Sequence, residues 1–243
     1  MIRRPPRSTL SPSSAASDVY KRQTQSWSPT EKTHKTFMFY TKDGSMWAGP
    51  YDCGEYVYWR PRYSAGCTYV AAYKGWKKGE NGEVHLLVSK DCIDWKFVTI
   101  MSKGEYVNET DIFFRNNQAM AFVRRERGSR TTLMLKSEYP YTQWSSKELN
   151  EIIQSPAIFE HRGNLFLIGR YVDKEAKRPS KTALFLVDND NVKLVFEFPS
   201  GGDNAYPGVA KVGDNLVAIS YYSSHETEST KIANIYLTII SIS

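Results

Sequence analysis

Chemically capable side chains cluster at both ends of one short predicted hairpin, in the stretch NAYPGVAKVGDNLVAISYYSSHE from Asn204 to Glu226. Core packing explains apolar residues such as Val209 and Ile219, but not the tyrosines, His225 and Glu226. Phenol, imidazole and carboxylate groups bind polar ligands and transfer protons. We therefore expect the two ends of this hairpin to meet at the mouth of a functional site.

Tyr206 stands at the entrance of this hairpin, directly before Pro207. A proline restricts the residue before it, which predicts an extended Tyr206. Gly201 and Gly202 just upstream suit an exposed entry loop. Tyr222 closes the same hairpin at its other end. A plain core role for Tyr206 is the alternative.

A repeat indicates which elements position these residues. The stretches TKDGSMW (41–47), SKDCIDW (89–95) and SEYPYTQW (137–144) begin 48 residues apart, twice over. Short β-branched or aromatic runs separated by turn signals such as ENGE and HRGN lie between them. Only SSKELNEII (145–153) predicts a helix, of about two turns. A β-type repeat of this length is typical of propeller blades.

A second landmark opens each repeat unit: WRPR (59–62), NETD (108–111), SPAI (155–158) and YPGV (206–209). The first strands of propeller blades converge on a central axis, so these landmarks lie where a site would form. The three box tryptophans, Trp47, Trp95 and Trp144, are expected to be structural.

The boxes resemble the Asp-box of the sialidase superfamily, and the resemblance extends over stretches such as GEYVNETDIFF, AFVRRERG and LIGRY. It implies an all-β, β-propeller fold of the sialidase type, six-bladed when complete. Residues 37–243 would then supply three complete blades plus part of another. In this family the box forms the turn between the last two strands of a blade.

The resemblance also implies roles for individual residues. Sialidases use, in chain order, a glutamate, two arginines, a tyrosine and a further glutamate. A neutral tyrosine attacks a sugar that carries a carboxylate at its anomeric carbon, and arginines hold that carboxylate. The matching positions are Glu109 as base, Arg125 and Arg170 as carboxylate clamp, Tyr206 as nucleophile, Glu226 as a group that orients a guanidinium, and Trp59, Arg60, Tyr222 and His225 as sugar contacts.

Several of these positions have a simpler explanation. Arg125 follows Arg124, which has the opposite strand parity, so one of the two is expected to face solvent. Arg170 could be a charge at the end of a strand, Glu109 could cap a turn, and His225 could be a surface histidine. The upstream arginine and the acid/base aspartate of sialidases have no match in this sequence.

The first 23 residues carry five Lys or Arg and one Asp, so most of the formal net charge of +6 lies there. They resemble translated sequencing-adapter read-through at the ends of metagenomic genes, and we exclude them from the fold as disordered. Residues 24–36 read as a polar linker without strand alternation. We therefore expect an N-terminally truncated propeller that lacks its first inner strands and has no glycosidase activity.

Composition limits the remaining possibilities. Charges of both signs are interspersed after residue 23, which argues against nucleic-acid binding, and no apolar run is long enough to span a membrane. Three cysteines without CxxC spacing and four scattered histidines predict no metal site and no cofactor. The expected partner is a carbohydrate, the terminal anionic sugar of a glycan. The sequence does not fix a cellular location.

Two other functions stay open. A non-catalytic carbohydrate-binding propeller would use the same arginines and aromatic residues only to hold sugar. A five-bladed furanosidase-type glycosidase would need three carboxylates, and the sequence offers few well-placed Asp or Glu residues for it.

Overall fold

The computed structural model describes residues 20–28, 33–41, 43–74, 81–175, 177–227 and 232–242. Within these residues the chain forms nineteen strands and no helix. In chain order the strands are β1 (Tyr20–Ser28), β2 (Thr33–Thr41), β3 (Ala48–Asp52), β4 (Val57–Tyr58), β5 (Arg62–Ser64), β6 (Cys67–Lys74), β7 (Glu83–Ser89), β8 (Lys96–Lys103), β9 (Val107–Arg115), β10 (Gln118–Arg125), β11 (Leu133–Glu138), β12 (Ser145–Glu148), β13 (Ile152–His161), β14 (Asn164–Val172), β15 (Lys181–Asp188), β16 (Asn191–Glu197), β17 (Asn204–Lys211), β18 (Leu216–Ser223) and β19 (Asn234–Ser241).

The strands form antiparallel sheets that follow one another along the chain. A three-stranded sheet, β1-β2-β3, comes first. Four sheets arranged as propeller blades follow: β4-β6-β7-β8 with β5 beside β6, then β9 to β12, β13 to β16, and β17 to β19. The predicted all-β propeller fold is confirmed, and four blades follow the first sheet.

Apolar layers between neighbouring sheets hold the blades together. Ile112 and Leu135 belong to the layer between the first and second blades, Phe185 to the next layer, and Ile219 to the last. All four are fully buried. Burying a side chain of this kind contributes about 1.5–3 kcal/mol. The first strands β9, β13 and β17 of consecutive blades lie side by side, which brings their polar residues together.

The first two boxes form turns with the same hydrogen bonds. Asp91 accepts the backbone N–H groups of Ile93 and Asp94 at 2.8 and 2.9 Å. Asp43 accepts those of Ser45 and Met46 at 2.8 and 3.0 Å. These turns lie between β2 and β3 and between β7 and β8. The local geometry is that expected of the boxes, but it identifies a turn and not a family.

The third box forms its turn between β11 and β12 without an aspartate. Trp144 donates its indole N–H to the Tyr141 carbonyl at 3.0 Å, as Trp95 does to Cys92 at 3.1 Å. Tyr141 and Cys92 both have a positive φ, at 65° and 62°. A left-handed residue thus occupies the corresponding place in both turns.

Asp91 makes the second turn sensitive to acid. Its backbone partners Asp94 and Ile93, helped by Ser89, lower the pKa of its carboxyl to about 2. The unfolded value is about 3.9, so the stabilisation is complete above about pH 4 and is lost as the pH falls towards 2. As the pH falls from 5 to 2, we expect the melting temperature of Asp91→Asn to decrease less than that of the parent chain. Circular dichroism melts check this, with exposed Asp214→Asn as control; parallel losses for parent and Asp91→Asn would contradict it.

Two predictions for the N-terminal part and one for the helix differ from the structure. Residues 20–41, apart from 29–32, form the paired strands β1 and β2, so the boundaries at residues 23 and 36 fall inside strands. The adapter interpretation of the first 23 residues has no support, and residues 1–19 lie outside the described residues. The predicted helix at 145–153 is instead β12 and the start of β13, because pairing with β11 outweighs helix propensity.

Candidate active site

A buried carboxylate, Glu109 on β9, is the centre of the candidate site. Its Oε1 accepts the phenol of Tyr206 at 3.0 Å. Its Oε2 accepts a guanidinium N–H from Arg124 at 2.7 Å and the hydroxyl of Ser155 at 2.8 Å. Glu109 is only 4% exposed, whereas Tyr206 is 52% exposed. The pair therefore joins a buried carboxylate to a tyrosine that is half exposed as a residue, although its hydroxyl end is desolvated.

Backbone distortions place Tyr206 and Ser155. Both residues precede a proline, lie in a β-bulge of the first strand of their blade, and have positive φ values of 51° and 53°. Left-handed backbone is uncommon for a residue with a bulky side chain and concentrates at functional sites. The expectation that Pro207 holds Tyr206 extended is therefore wrong, because the bulge inserts an extra residue that turns the side chain towards Glu109.

Electrostatics keep Tyr206 protonated. Desolvation of its hydroxyl end and the negative charge of Glu109 raise the pKa of Tyr206 above its usual range. Burial disfavours the charged form of Arg124, but Glu109 and Glu126 more than offset this, so the pKa of Arg124 is raised too. At neutral pH the phenol is thus a hydrogen-bond donor and Glu109 is the acceptor for its proton.

Aromatic rings and a third arginine border Tyr206. Trp59 and Tyr222 lie on it with ring centroids 5.5 and 5.7 Å away. Arg60 donates to the carbonyl of Pro207 at 2.6 Å and to that of Pro156 at 3.3 Å. Burial lowers the pKa of Arg60. Among the described residues Arg60 forms no ion pair with a carboxylate, so its charge can meet an anion.

Arg170 lies at the rim of the same site. Its guanidinium donates to Asp203 at 2.7 Å and to the Tyr222 hydroxyl at 3.1 Å, and also to the carbonyl of Asn204. Gly169 beside it is required, since a Cβ there would lie 2.5 Å from the Gln154 carbonyl oxygen. Burial and the negative charge of Asp203 raise the pKa of Tyr222 to about 12, although Arg170 opposes this.

Arg125, predicted as part of the clamp, lies elsewhere. It is 4% exposed and forms ion pairs with Glu105 and Glu148, the latter at 3.0 Å, and hydrogen bonds with Ser129 and Thr131. Its backbone pairs with Val107 of β9, but its guanidinium donates to the Thr131 carbonyl and the Ser129 hydroxyl and not to Glu109. Arg124 takes the place at Glu109, and neither arginine faces solvent, in contrast to the prediction.

Glu226 contacts no guanidinium among the residues that the structure describes. It is 61% exposed and accepts the hydroxyl of Tyr236 at 2.7 Å. His225 packs on the same Tyr236 ring and hydrogen-bonds Ser223 at 2.9 Å. The hairpin end beyond Tyr222 therefore turns towards β19 and away from Glu109.

Arg124, Ser155 and Asp203 were missed by the sequence interpretation. Ser155 had a usable signal, since Ser155-Pro156 repeats the pattern of Tyr206-Pro207 at the start of the preceding blade. Within the described residues no group of His, Cys, Asp and Glu could hold a metal ion. No helix of the described chain is long and apolar enough to cross a membrane.

The fold is that of β-propellers found among glycoside hydrolases. No model of a known protein family matches the sequence, and no curated protein matches it. Solved structures that share the fold include the following three. A Dyadobacter fermentans protein of unknown function has a TM-score of 0.66 and 14% identity, with 93% of this chain and 73% of that chain covered.

The other two structures are named hydrolases. Sucrose-6-phosphate hydrolase from Lactobacillus gasseri has a TM-score of 0.62 at 10% identity, covering 93% of this chain and 57% of the hydrolase. The GH43 endo-arabinanase from Bacillus licheniformis has a TM-score of 0.56 at 10% identity, covering 93% and 91%. This chain thus spans little more than half of the first hydrolase. At these identities the likeness concerns the fold.

Proposed function

We propose that the protein is a glycoside hydrolase whose site is built on Glu109 and Tyr206. The observation that carries the proposal is the 3.0 Å hydrogen bond from the Tyr206 phenol to the buried Glu109 carboxylate. A nucleophile within hydrogen-bond reach of a base, with that base oriented by further groups, is the arrangement nucleophilic catalysis requires. Here Arg124 and Ser155 orient the base.

In this proposal each residue of the site has a specific role. Tyr206 Oη attacks the anomeric carbon as its phenol proton passes to Glu109 Oε1, and the bond to the leaving oxygen breaks, that oxygen taking a proton from solvent. Water then attacks the anomeric carbon of the glycosyl-tyrosine and gives up a proton to solvent, while Glu109 returns its proton to the departing Tyr206 oxygen. Because the pKa of Tyr206 is raised, it does not ionise by itself at neutral pH and depends on Glu109. Trp59 and Tyr222 form the walls against which a sugar ring packs.

A terminal anionic sugar is the proposed substrate class, with Arg60 as its counter-ion. Arg124 and Arg170 are already paired with Glu109 and Asp203 at 2.7 Å each, so a clamp of several free arginines finds no support. Arg60 donates hydrogen bonds only to carbonyl oxygens among the described residues, and the charges of Asp111 and Glu109 act on it without forming an ion pair. The sialidase-type proposal therefore rests on the tyrosine–glutamate pair and Arg60.

A furanosidase-type glycosidase is the second candidate, and the fold comparisons favour it over a sialidase. The two named neighbours are a sucrose-6-phosphate hydrolase and an endo-arabinanase. Its chemistry needs further carboxylates beside Glu109. Asp111 is held by Arg62 and two backbone amides, and Asp203 by Arg170 and Tyr222. Only Asp203 is exposed enough to reach a substrate, at 52%.

Hydrolysis of reporter glycosides tests the proposal. The 243-residue chain would be incubated with 4-nitrophenyl glycosides of N-acetylneuraminic acid and arabinofuranose and with sucrose-6-phosphate, and the released products measured. We expect cleavage of the sialoside. Cleavage of only the furanosides would favour the second candidate. Sugar binding without cleavage would overturn hydrolysis and support a non-catalytic binding propeller. The absence of both binding and cleavage would overturn both functions.

A further inference from the structure

A second pocket lies on the first blade and shares no residue with the candidate active site. It has a volume of about 380 Å³ and is formed on the face of β4-β6-β7-β8 that is turned towards the first sheet. This volume is within the range of small-molecule sites in proteins, roughly 300–1,000 Å³. Four aromatic side chains line it: Tyr56, Tyr58, Trp95 and Phe97.

The aromatic walls are held in place by hydrogen bonds. Tyr56 shares a 2.7 Å hydrogen bond with His85 Nδ1, and His85 Nε2 contacts Glu83 at 2.9 Å. Tyr58 donates its hydroxyl to the Cys53 carbonyl at 3.1 Å, and Trp95 donates to a carbonyl of its own turn. The pocket is therefore formed before any ligand arrives, which lowers the entropic cost of binding.

The loop that closes the pocket is also anchored. Cys53 donates its N–H to the Thr36 carbonyl at 2.8 Å, and Thr36 donates to the Gly54 and Tyr56 carbonyls at 3.1 and 2.5 Å. The loop 53–56 thus joins the first sheet to the first blade. Phe97 packs edge-on against His85 with ring centroids 5.3 Å apart and is 56% exposed, so part of its ring is open to a ligand.

Two charged groups of opposite sign complete the pocket. The Lys74 ammonium lies 4.2 Å from the centre of the Tyr56 ring, and Glu55 is exposed at the rim. Neither forms a hydrogen bond or an ion pair with another described residue. Aromatic rings together with hydrogen-bonding groups and no net charge suit the apolar face and the hydroxyl groups of a neutral sugar ring.

We propose that this pocket is a second carbohydrate-binding site, which takes one neutral sugar residue against Phe97 and Tyr56 with Lys74 and Glu55 on its hydroxyls. The choice of a sugar as ligand rests on the proposed function, but binding here does not need hydrolysis at Glu109. The site would hold a glycan chain whose terminal residue is processed elsewhere on the propeller.

Nuclear magnetic resonance titrations with methyl α-D-glucopyranoside, methyl α-D-galactopyranoside and methyl α-L-arabinofuranoside test the site. We expect millimolar binding of at least one probe, with amide shifts at residues 54–56 and 95–97. Phe97→Ala and Lys74→Met should each weaken that binding at least fivefold. Phe196→Ala, a phenylalanine of similar exposure (47%) on β16, is the matched control and should bind as the parent chain does.

Tyr206→Phe separates this inference from the proposed function. In the titration, Tyr206→Phe should bind the neutral sugar as the parent chain does, since Tyr206 does not line the second pocket. The inference is overturned if no probe binds, if Phe97→Ala and Lys74→Met bind as the parent chain does, or if Tyr206→Phe loses the sugar. If hydrolysis is absent while Phe97-dependent binding remains, the proposed function fails and the second site stands. Circular dichroism would verify that each variant is folded.

Discussion

Replacement of Asp111 by Asn is expected to cost about 3–5 kcal/mol of the free energy of unfolding, the loss typical when one partner of a buried ion pair is removed. Asp111 is fully buried, and Arg62 donates to both of its oxygens, one of them at 2.9 Å. It also accepts the N–H groups of Ile112 and Ile158 at 2.9 and 2.8 Å. Arg62 also donates to the carbonyl of Ile158 on β13 at 2.9 Å.

Three consecutive blades are joined by this one carboxylate, because Arg62 lies on β5 of the first blade, and Asp111 and Ile158 lie on the first strands of the next two. A loss of 3–5 kcal/mol is a large part of the 5–15 kcal/mol typical of a folded domain. Asparagine offers one acceptor where two are needed, so the Arg62 guanidinium keeps a charge without a counter-ion. The loss is therefore expected to exceed that of any surface ion pair in the described chain.

Urea unfolding followed by tryptophan fluorescence measures this loss. Asp190→Asn is the control, since Asp190 pairs with Lys136 on the surface with both side chains about half exposed, and we expect little change there. If Asp111→Asn does not fold, the double variant Arg62→Met, Asp111→Leu should recover part of the stability, because an apolar pair often replaces a buried ion pair without loss. A midpoint of Asp111→Asn equal to that of the parent chain would contradict the prediction.

The same contacts show what the sequence could and could not reveal. The 48-residue spacing of the boxes depends on strand lengths and turns, which are local properties, and it led to a propeller. The pairing of Arg62 with Asp111 joins strands 49 residues apart and has no local signature. Sequence placed both residues in the landmarks WRPR and NETD without indicating that they bind each other.

The candidate site was likewise predictable from the sequence only in part. The pairing of Glu109 with Tyr206 was predicted through a family resemblance, and the structure brings the two side chains to 3.0 Å. Arg124 was exchanged for Arg125 because the extra residue of the register shift lies on β9, between Val107 and Thr110, where it sets the face on which Glu109 lies. A bulge of one residue is a property of the folded sheet. Single-sequence patterns do not show where it falls.

The largest catalytic effect is expected for Tyr206→Phe, which removes the attacking oxygen and leaves the ring. For a cleaved glycoside we expect kcat to fall by at least 10²–10⁴-fold, the range typical for loss of one proton-transfer or nucleophilic group. Tyr206 is half exposed, so its ring needs no repacking, and the melting temperature should change little. Tyr63→Phe, on a tyrosine that is 62% exposed, serves as the control for phenol removal.

Glu109→Gln distinguishes a reacting pair from a merely structural hydrogen bond. Without the carboxylate, the proton of Tyr206 has no acceptor at neutral pH, and kcat should fall by about 10²–10⁴-fold. Removal of the Glu109 charge also removes one cause that raises the pKa of Tyr206. The phenol of the variant should therefore ionise at lower pH than in the parent chain, and its activity should rise as the pH increases through that ionisation.

The pH profile of kcat for Glu109→Gln is thus the deciding measurement, taken from pH 6 to pH 10.5 on the same glycoside. A rate that recovers with alkali in Glu109→Gln, but not in the double variant with Tyr206→Phe, is the expected result. A flat profile with unchanged activity in Tyr206→Phe would show that the phenol does not attack. If Asp203→Asn lost activity instead, the reaction would depend on two carboxylates, as the furanosidase-type candidate requires. Asp203 is the carboxylate to test because it is exposed at the rim of the site.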